Sequence, residues 1–220
     1  SGKANSWKRK HLFLQYHGGA HHKFELGPFT NSVVMTEKWR LVNTDKAQEL
    51  YDIQSDPSQR KNIANQRPEI VKNLRKAYQS FWHRVSPGLK PVAIDIGDLT
   101  ENPSVLCSQD WRPETGNPPW NFSSIRKLPK VTHPWLVNVL KAGKYRFTLR
   151  QWPKEADKRI VGIKAKIKIA GVEKEALIKD GSREIDFTLS LPSGITELWT
   201  YIYNQQGQVG GAYFTEVEKL

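Results

Sequence analysis

One segment of this sequence has a clear helical pattern, and it lies among segments that alternate like strands. Apolar residues recur at helical spacing over residues 70–85 and form a single stripe. Pro68 and Glu69 suit a first helical turn, because proline loses no hydrogen bond there and a carboxylate faces the positive helix end. Pro87-Gly88 ends the pattern. The sequence therefore predicts a helix beginning at Pro68, with its aromatic residues packed in a core.

The residues before this helix are predicted to form a small antiparallel sheet. Residues 11–16 have the pattern of a buried strand, and residues 31–36 and 38–43 that of a hairpin. A further strand is predicted over residues 49–53. Ser55–Ser58 follows as a turn, because Pro57 presets φ.

After the helix, nearly every segment is predicted to be a strand. A hairpin is expected in which residues 135–140 lead through Ala142-Gly143 into residues 144–150. Further strands are expected at residues 163–169, with a basic outer face, and at 184–191, 197–203 and 211–217. Antiparallel strands without helices indicate a sandwich or jelly roll. The predicted fold class is α+β: a sheet with a closing helix over residues 1–88, then an all-β sandwich or jelly-roll-like domain over residues 89–220.

The net charge of +12, with a pI of about 9.7, is expected to attract polyanions. Nucleic acid, anionic membrane surfaces and sulfated polysaccharides all have this chemistry, and a solvated lysine-rich surface is the alternative. The sequence has no recognised nucleic-acid-binding signature. No stretch approaches the roughly 20 apolar residues that cross a bilayer. We therefore predict no membrane partner and regard nucleic acid as disfavoured, and a sulfated polysaccharide stays open beside a solvated lysine-rich surface.

Three histidines, His17, His21 and His22, cluster on a glycine-rich segment. Imidazoles placed in this way could bind a metal, contact a substrate anion or hydroxyl, or belong to an exposed loop. A metal site would also need carboxylates, and only Glu25 is close in sequence. No metal ligands are predicted here; substrate binding by the three histidines is the functional hypothesis, and a structural or exposed loop is its alternative.

Cys107 is the single cysteine, so no internal disulfide and no cysteine-based zinc site can form. A nucleophilic thiol needs a histidine or a helix N-terminus that stabilises the thiolate, and the neighbouring sequence shows neither. The prediction is an inert, buried cysteine.

Several motifs before the helix fall in an order that resembles one enzyme family. Residues 32–43 are followed by Glu49–Ile53, Ser55–Gln59 and Asn62–Ala64, and then by the helix that begins at Pro68. This order is similar to the C-terminal subdomain of arylsulfatase-type enzymes, in which a small antiparallel sheet contains an ELYD…DP…N segment and a closing helix. In the second part, Ala142–Pro153 and Gly210–Phe214 are similar to a β domain appended to a subset of bacterial arylsulfatases.

The resemblance implies the hydrolysis of sulfate esters, of aryl sulfates or sulfated carbohydrates, by the parent protein, and so a sulfated small molecule or polysaccharide as its substrate. In this family a formylglycine made from Cys or Ser in a C/S-x-P-x-R motif attacks sulfur, and calcium is held by Asp and Asn residues. Both groups belong to an N-terminal catalytic domain, which would be the partner of this segment. The resemblance also implies a bacterial periplasmic or extracellular location, although residues 1–15 show no signal-peptide pattern.

Neither candidate for the nucleophile motif fits. Cys107 has Gln109 where proline is required and Trp111 where arginine is required. Ser55 is followed by Pro57 at the correct position, but Gln59 replaces the arginine. We therefore predict no catalytic residue in this segment and no activity for it alone. It would supply scaffold and one wall of the substrate cleft. The alternative is a stand-alone carbohydrate-binding module for anionic glycans.

Overall fold

The computed structural model describes residues 9–16, 28–44, 47–113, 118–119, 121–128 and 130–220. These residues fall into two compact units, residues 9–90 and residues 91–220. The described part of the chain is rich in β structure, with strands in three sheets. None of its helices is long and apolar enough to cross a membrane.

The first unit is a four-stranded antiparallel sheet with one long helix. Its strands, in spatial order, are β1 (Leu12–Gln15), β2 (Ser32–Met35), β3 (Trp39–Asn43) and β4 (Gln48–Asp52). Helix α1 spans Pro68–Val85, with proline in its first turn and Glu69 beside it. The predicted helix and the predicted hairpin of β2 and β3 are both confirmed.

Alternation along the strands gives the sheet one face for the helix. Cross-strand neighbours form a continuous apolar row, and α1 adds the other side of the core. Phe13, Val34, Leu41 and Leu50 make the row, and Leu74 and Tyr78 pack against it from the helix.

The prediction of a buried first strand is wrong for half of its residues. Leu12 is 36% exposed and Leu14 is 53% exposed, although Phe13 between them packs on the core. The reason is that β1 is an edge strand whose odd and even positions face opposite sides of the sheet. Tyr16, just after the strand, is 72% exposed.

The second unit contains two sheets. The larger has the order β10 (Val172–Leu177), β9 (Lys164–Ile169), β12 (Gly194–Tyr203), β7 (Trp135–Val139) and β5 (Ile94–Ile96), with β13 (Val209–Gly210) beside β12. The smaller has the order β11 (Ile185–Leu191), β8 (Gly143–Arg150), β14 (Phe214–Lys219) and β6 (Ser104–Cys107). A short helix, α2, spans Phe122–Arg126. One buried cluster draws residues from both sheets, which is the arrangement of a sandwich.

Two expectations for this unit are wrong. The predicted hairpin of residues 135–150 does not pair, because β7 belongs to the larger sheet and β8 to the smaller one. Their inward side chains, Val137 and Phe147, instead meet in the shared core. The strands are also not all antiparallel, since β5 pairs with β7 in parallel. The sequence does not predict strand β10, because its three consecutive charged residues do not alternate with apolar ones. They are exposed, and the strand lies at the edge of its sheet.

Candidate functional site

The predicted substrate-binding residues His17, His21 and His22 lie outside the described residues. Their role stays a prediction.

The polar residues of the ELYD…DP…N segment hold the backbone. The Asp56 carboxylate accepts hydrogen bonds from the backbone N–H groups of Arg60 and Lys61, both at 2.8 Å. Asn62 accepts from the N–H groups of Leu50, at 3.1 Å, and Ala64, at 2.9 Å. Ser55 therefore belongs to a turn closed by its neighbours, as the sequence predicts.

Asp52 ends strand β4 and fixes the same turn. Burial opposes its ionisation, but the backbone N–H groups of Ser55 and Gln54 and the ammonium of Lys38 outweigh that effect and lower the pKa of Asp52. The Lys38 Nζ lies 3.4 Å from the carboxylate. The ionised form of Asp52 is thus the form that supports the turn.

Cys107 ends strand β6 and is only half-buried, not fully buried as predicted. Burial raises the pKa of its thiol, and the carboxylate of Asp110, which accepts from Sγ at 3.5 Å, adds to that rise. A raised pKa keeps the thiol protonated at neutral pH, which disfavours nucleophilic attack. Across the described ranges, no group of three or more His, Cys, Asp and Glu residues could hold a metal ion.

A cleft of about 410 Å³ beside β8 contains Arg150, whose charge is already balanced. Its guanidinium makes ion pairs with Glu184 and with Glu216, the latter at 3.6 Å. Because Arg150 is almost fully buried, these carboxylates replace the solvation it loses. We therefore assign Arg150 and its two glutamates a structural role in this cleft and no role in ligand binding.

The positive charge of the chain is concentrated in the first unit. Residues 1–90 have 16 Lys and Arg against 7 Asp and Glu, a net charge of +9. Residues 91–220 have 18 against 15, a net charge of +3. A polyanion would therefore be attracted mainly to the first unit.

A groove of about 810 Å³ runs along α1 in this unit. Three cations on one face of the helix line it: Lys72, Arg75 and Lys76. Lys72 and Lys76 are exposed, and Arg75 is half-buried with its guanidinium 4.0 Å from the centre of the Phe29 ring. Like charges four positions apart on a helix cost about 0.2–0.5 kcal/mol, so the fold gains nothing from this spacing.

The floor and rim of the groove are apolar and amide-bearing. Val71, Ala64 and Pro68 provide apolar surface. Asn65 and Gln79 are exposed amides that can both donate and accept hydrogen bonds. The groove thus offers cations and neutral hydrogen-bonding groups side by side.

A second surface of interest is an aromatic row on the outer face of the larger sheet of the second unit, residues 91–220, which we call the β unit. Trp199, Tyr201 and Tyr203 alternate along β12, all half-buried. Their ring centres are 6.2 Å apart for the first pair and 6.5 Å for the second. Register places Lys168, Lys166 and Lys164 of β9 beside them.

The lysines beside the aromatic row are largely neutralised by the next strand. Lys166 lies 2.7 Å from Glu173 and Lys164 lies 3.0 Å from Glu175. The hydrogen bond between Glu173 and Lys166 raises the pKa of the lysine and lowers that of the glutamate. The predicted basic outer face of residues 163–169 is therefore a ladder of ion pairs.

Both surfaces have signals in the sequence. The spacing of Lys72, Arg75 and Lys76 follows from the predicted helix alone. The alternation of Trp199, Tyr201 and Tyr203 follows from a strand. The neutralisation of the β9 lysines depends on a strand that the sequence did not predict.

Comparison with protein-family models gives no match, and comparison with curated proteins gives none. Among solved structures, a ruminal GH26 endo-β-1,4-mannanase is similar to this chain with a TM-score of 0.38 and 17% identity. The alignment covers 56% of this chain and 27% of the mannanase. A TM-score of this size does not establish a shared fold.

Proposed function

We propose that this chain is the C-terminal part of a formylglycine-dependent sulfatase, which hydrolyses sulfate esters of aryl compounds or carbohydrates. The chain would supply scaffold and one wall of the substrate cleft, and an upstream catalytic domain would supply the formylglycine and calcium. The support is the resemblance of the motifs in residues 32–69, together with the apolar outer face of the four-stranded sheet.

That outer face is the observation on which the scaffold role mainly depends. Leu12, Leu14 and Tyr16 point away from α1 and remain exposed in the first unit. Fully burying a leucine side chain is worth about 1.5–3 kcal/mol, so covering the exposed half of Leu14 would add about 1 kcal/mol. A packed catalytic domain would bury this face and gain that stabilisation.

The polar motif residues fit the same role. The side-chain oxygens of Asp52, Asp56 and Asn62 accept hydrogen bonds from backbone N–H groups. The segment that resembles the family would therefore have a structural role, and the catalytic residues would belong to another domain.

The test is an assay of the complete gene product. We expect an upstream C/S-x-P-x-R motif, release of sulfate from an aryl sulfate or a sulfated glycan, and loss of that activity when the motif Cys or Ser becomes Ala. This chain alone should be inactive, and the substitutions Leu12→Ser and Leu14→Ser should weaken its association with the separately expressed upstream domain. A complete gene product without the motif, or without sulfatase activity, would refute the proposal.

A second candidate function is carbohydrate binding by the β unit, favoured by the aromatic row of Trp199, Tyr201 and Tyr203. Aromatic side chains are amphipathic contact surfaces, and three in line could face successive sugar rings. We expect Trp199→Ala to weaken binding of a neutral oligosaccharide, with Phe122→Ala, an exposed aromatic outside the row, as the control. Equal effects of the two substitutions would remove this candidate.

A further inference from the structure

The groove along α1 differs from the lysine row of β9 because, among the described residues, its cations have no acidic partners. Lys72, Arg75 and Lys76 make no ion pair with any carboxylate of the described residues. Glu69, the single acidic residue of α1, makes none either within the same part of the chain. From this contrast we propose that the groove binds an anionic polysaccharide, with sulfate or carboxylate groups on the three cations.

The spacing of the cations suits a linear polyanion. Residues three and four positions apart on a helix have Cβ atoms about 5–6 Å from one another, so the three cations form one compact cluster. Two of them are exposed, and their long side chains can adjust to the positions of the anionic groups. Arg75, held against Phe29, gives the cluster one oriented guanidinium.

The neutral groups of the groove suit sugar hydroxyls. Asn65 and Gln79 each present an amide that donates and accepts hydrogen bonds. The apolar surface of Val71 and Pro68 can contact the C–H groups of a sugar ring. A saccharide with anionic substituents would use all three kinds of group at once.

Nucleic acid is the less favoured polyanion. Single strands are usually held by aromatic side chains that stack on the bases, and no aromatic residue lines this groove within the described residues. The choice of a glycan also rests on the proposed sulfatase function, whose substrates include sulfated carbohydrates.

The experiment measures binding of the 220-residue chain to a heparin oligosaccharide by calorimetry over a salt series. The test variant is Lys72→Gln/Arg75→Gln/Lys76→Gln. The matched control is Lys127→Gln/Lys130→Gln/Lys179→Gln, three exposed lysines of the second unit. Both variants change the net charge by the same amount, and thermal melting checks that each is folded. If the triple variant melts early, Lys72→Gln/Lys76→Gln, which leaves Arg75 on Phe29, replaces it.

We expect the groove variant to raise Kd roughly tenfold, the result of losing three contacts of exposed ion-pair strength, and the control to change it less than about twofold. Affinity should fall as salt rises. Polygalacturonate, which has carboxylates alone, shows whether sulfate is required. Equal losses in the two variants, no loss in either, or tighter binding of oligothymidylate than of both glycans would overturn the inference.

This binding assay is separate from the activity assay of the complete protein. A complete protein that hydrolyses sulfate esters while its groove variant binds heparin as the wild type does would retain the proposed function and lose the groove. If the groove binds glycans but the complete protein has no sulfatase activity, the groove proposal is retained and the proposed function is refuted.

Discussion

A side chain at position 211 of the second unit should be costly, chiefly because of its contact with Trp111 and in smaller part because of the Thr132 hydroxyl, 3.1 Å from the added Cβ. A Cβ atom placed on Gly211 would lie 2.5 Å from Cζ2 and 2.6 Å from Cη2 of Trp111. Trp111 is fully buried and packs against Trp135 and Tyr213, each with a ring-centre distance of 5.5 Å. The indole is therefore enclosed by packed side chains and can relieve the contact only if they move as well.

The expected cost of Gly211→Ala is that of overpacking a core, about 1–3 kcal/mol of the free energy of unfolding. Trp111→Phe removes the two atoms that would clash and leaves space in their place. In the Trp111→Phe background, Gly211→Ala should then cost less than about 1 kcal/mol. The coupling between the two changes should be about 0.5–3 kcal/mol, the range for residues in contact.

Urea denaturation of the wild type, the two single variants and the double variant measures this coupling. Gly88→Ala is the control, since a Cβ there meets no atom within 4 Å. Strict additivity of the two single changes would show that the Trp111 contact does not determine the requirement for glycine. That result would refute the packing argument for glycine at position 211.

Two further predictions concern titratable groups. Because the pKa of Asp52 is lowered in the fold, its contribution to stability is present above the unfolded pKa of about 3.9 and is lost as pH falls through the lower, folded value. The melting temperature of Asp52→Asn should therefore lie below that of the wild type at neutral pH and converge with it in acid; a constant gap would contradict the argument. Because the pKa of Cys107 is raised, its alkylation by iodoacetamide at neutral pH should be slower than that of free cysteine, and a faster reaction would contradict the assignment of an inert thiol.

The helix and the β2–β3 hairpin could be predicted because their signals are local. Residues 68–85 combine a helical period with a first-turn proline, and residues 31–43 combine two alternating runs with a short turn. The pairing of residues 135–150 could not be predicted in this way. Alternation shows which side chains face a core, but β7 and β8 both face the same core from opposite sheets. Which sheet each strand joins depends on a partner that is distant in the sequence: β7 pairs with β12, and β8 pairs with β11.

The candidate sites show the same division between local and distant information. The Lys72, Arg75 and Lys76 cluster lies within one turn of a predicted helix, so its existence is readable from the sequence. Whether a cation can bind a ligand depends on whether a carboxylate of a neighbouring element already pairs with it. Lys164 and Lys166 are as regular in sequence as the helix cations, yet Glu175 and Glu173 of the neighbouring strand neutralise them.

Total charge is therefore a poor guide to where a polyanion binds. The cations of the row on α1 have no acidic partners among the described residues, whereas Lys164, Lys166 and Lys168 of β9 are paired with glutamates. An ion-pair ladder on a sheet stabilises the pairing of its strands, and an anion arriving there would have to displace a carboxylate already in place. On α1 the arriving anion would relieve repulsion between like charges three and four positions apart. Lys72→Gln/Lys76→Gln, which leaves Arg75 on Phe29, should for that reason leave the melting temperature of the first unit unchanged or slightly higher, while Lys166→Gln should lower that of the second.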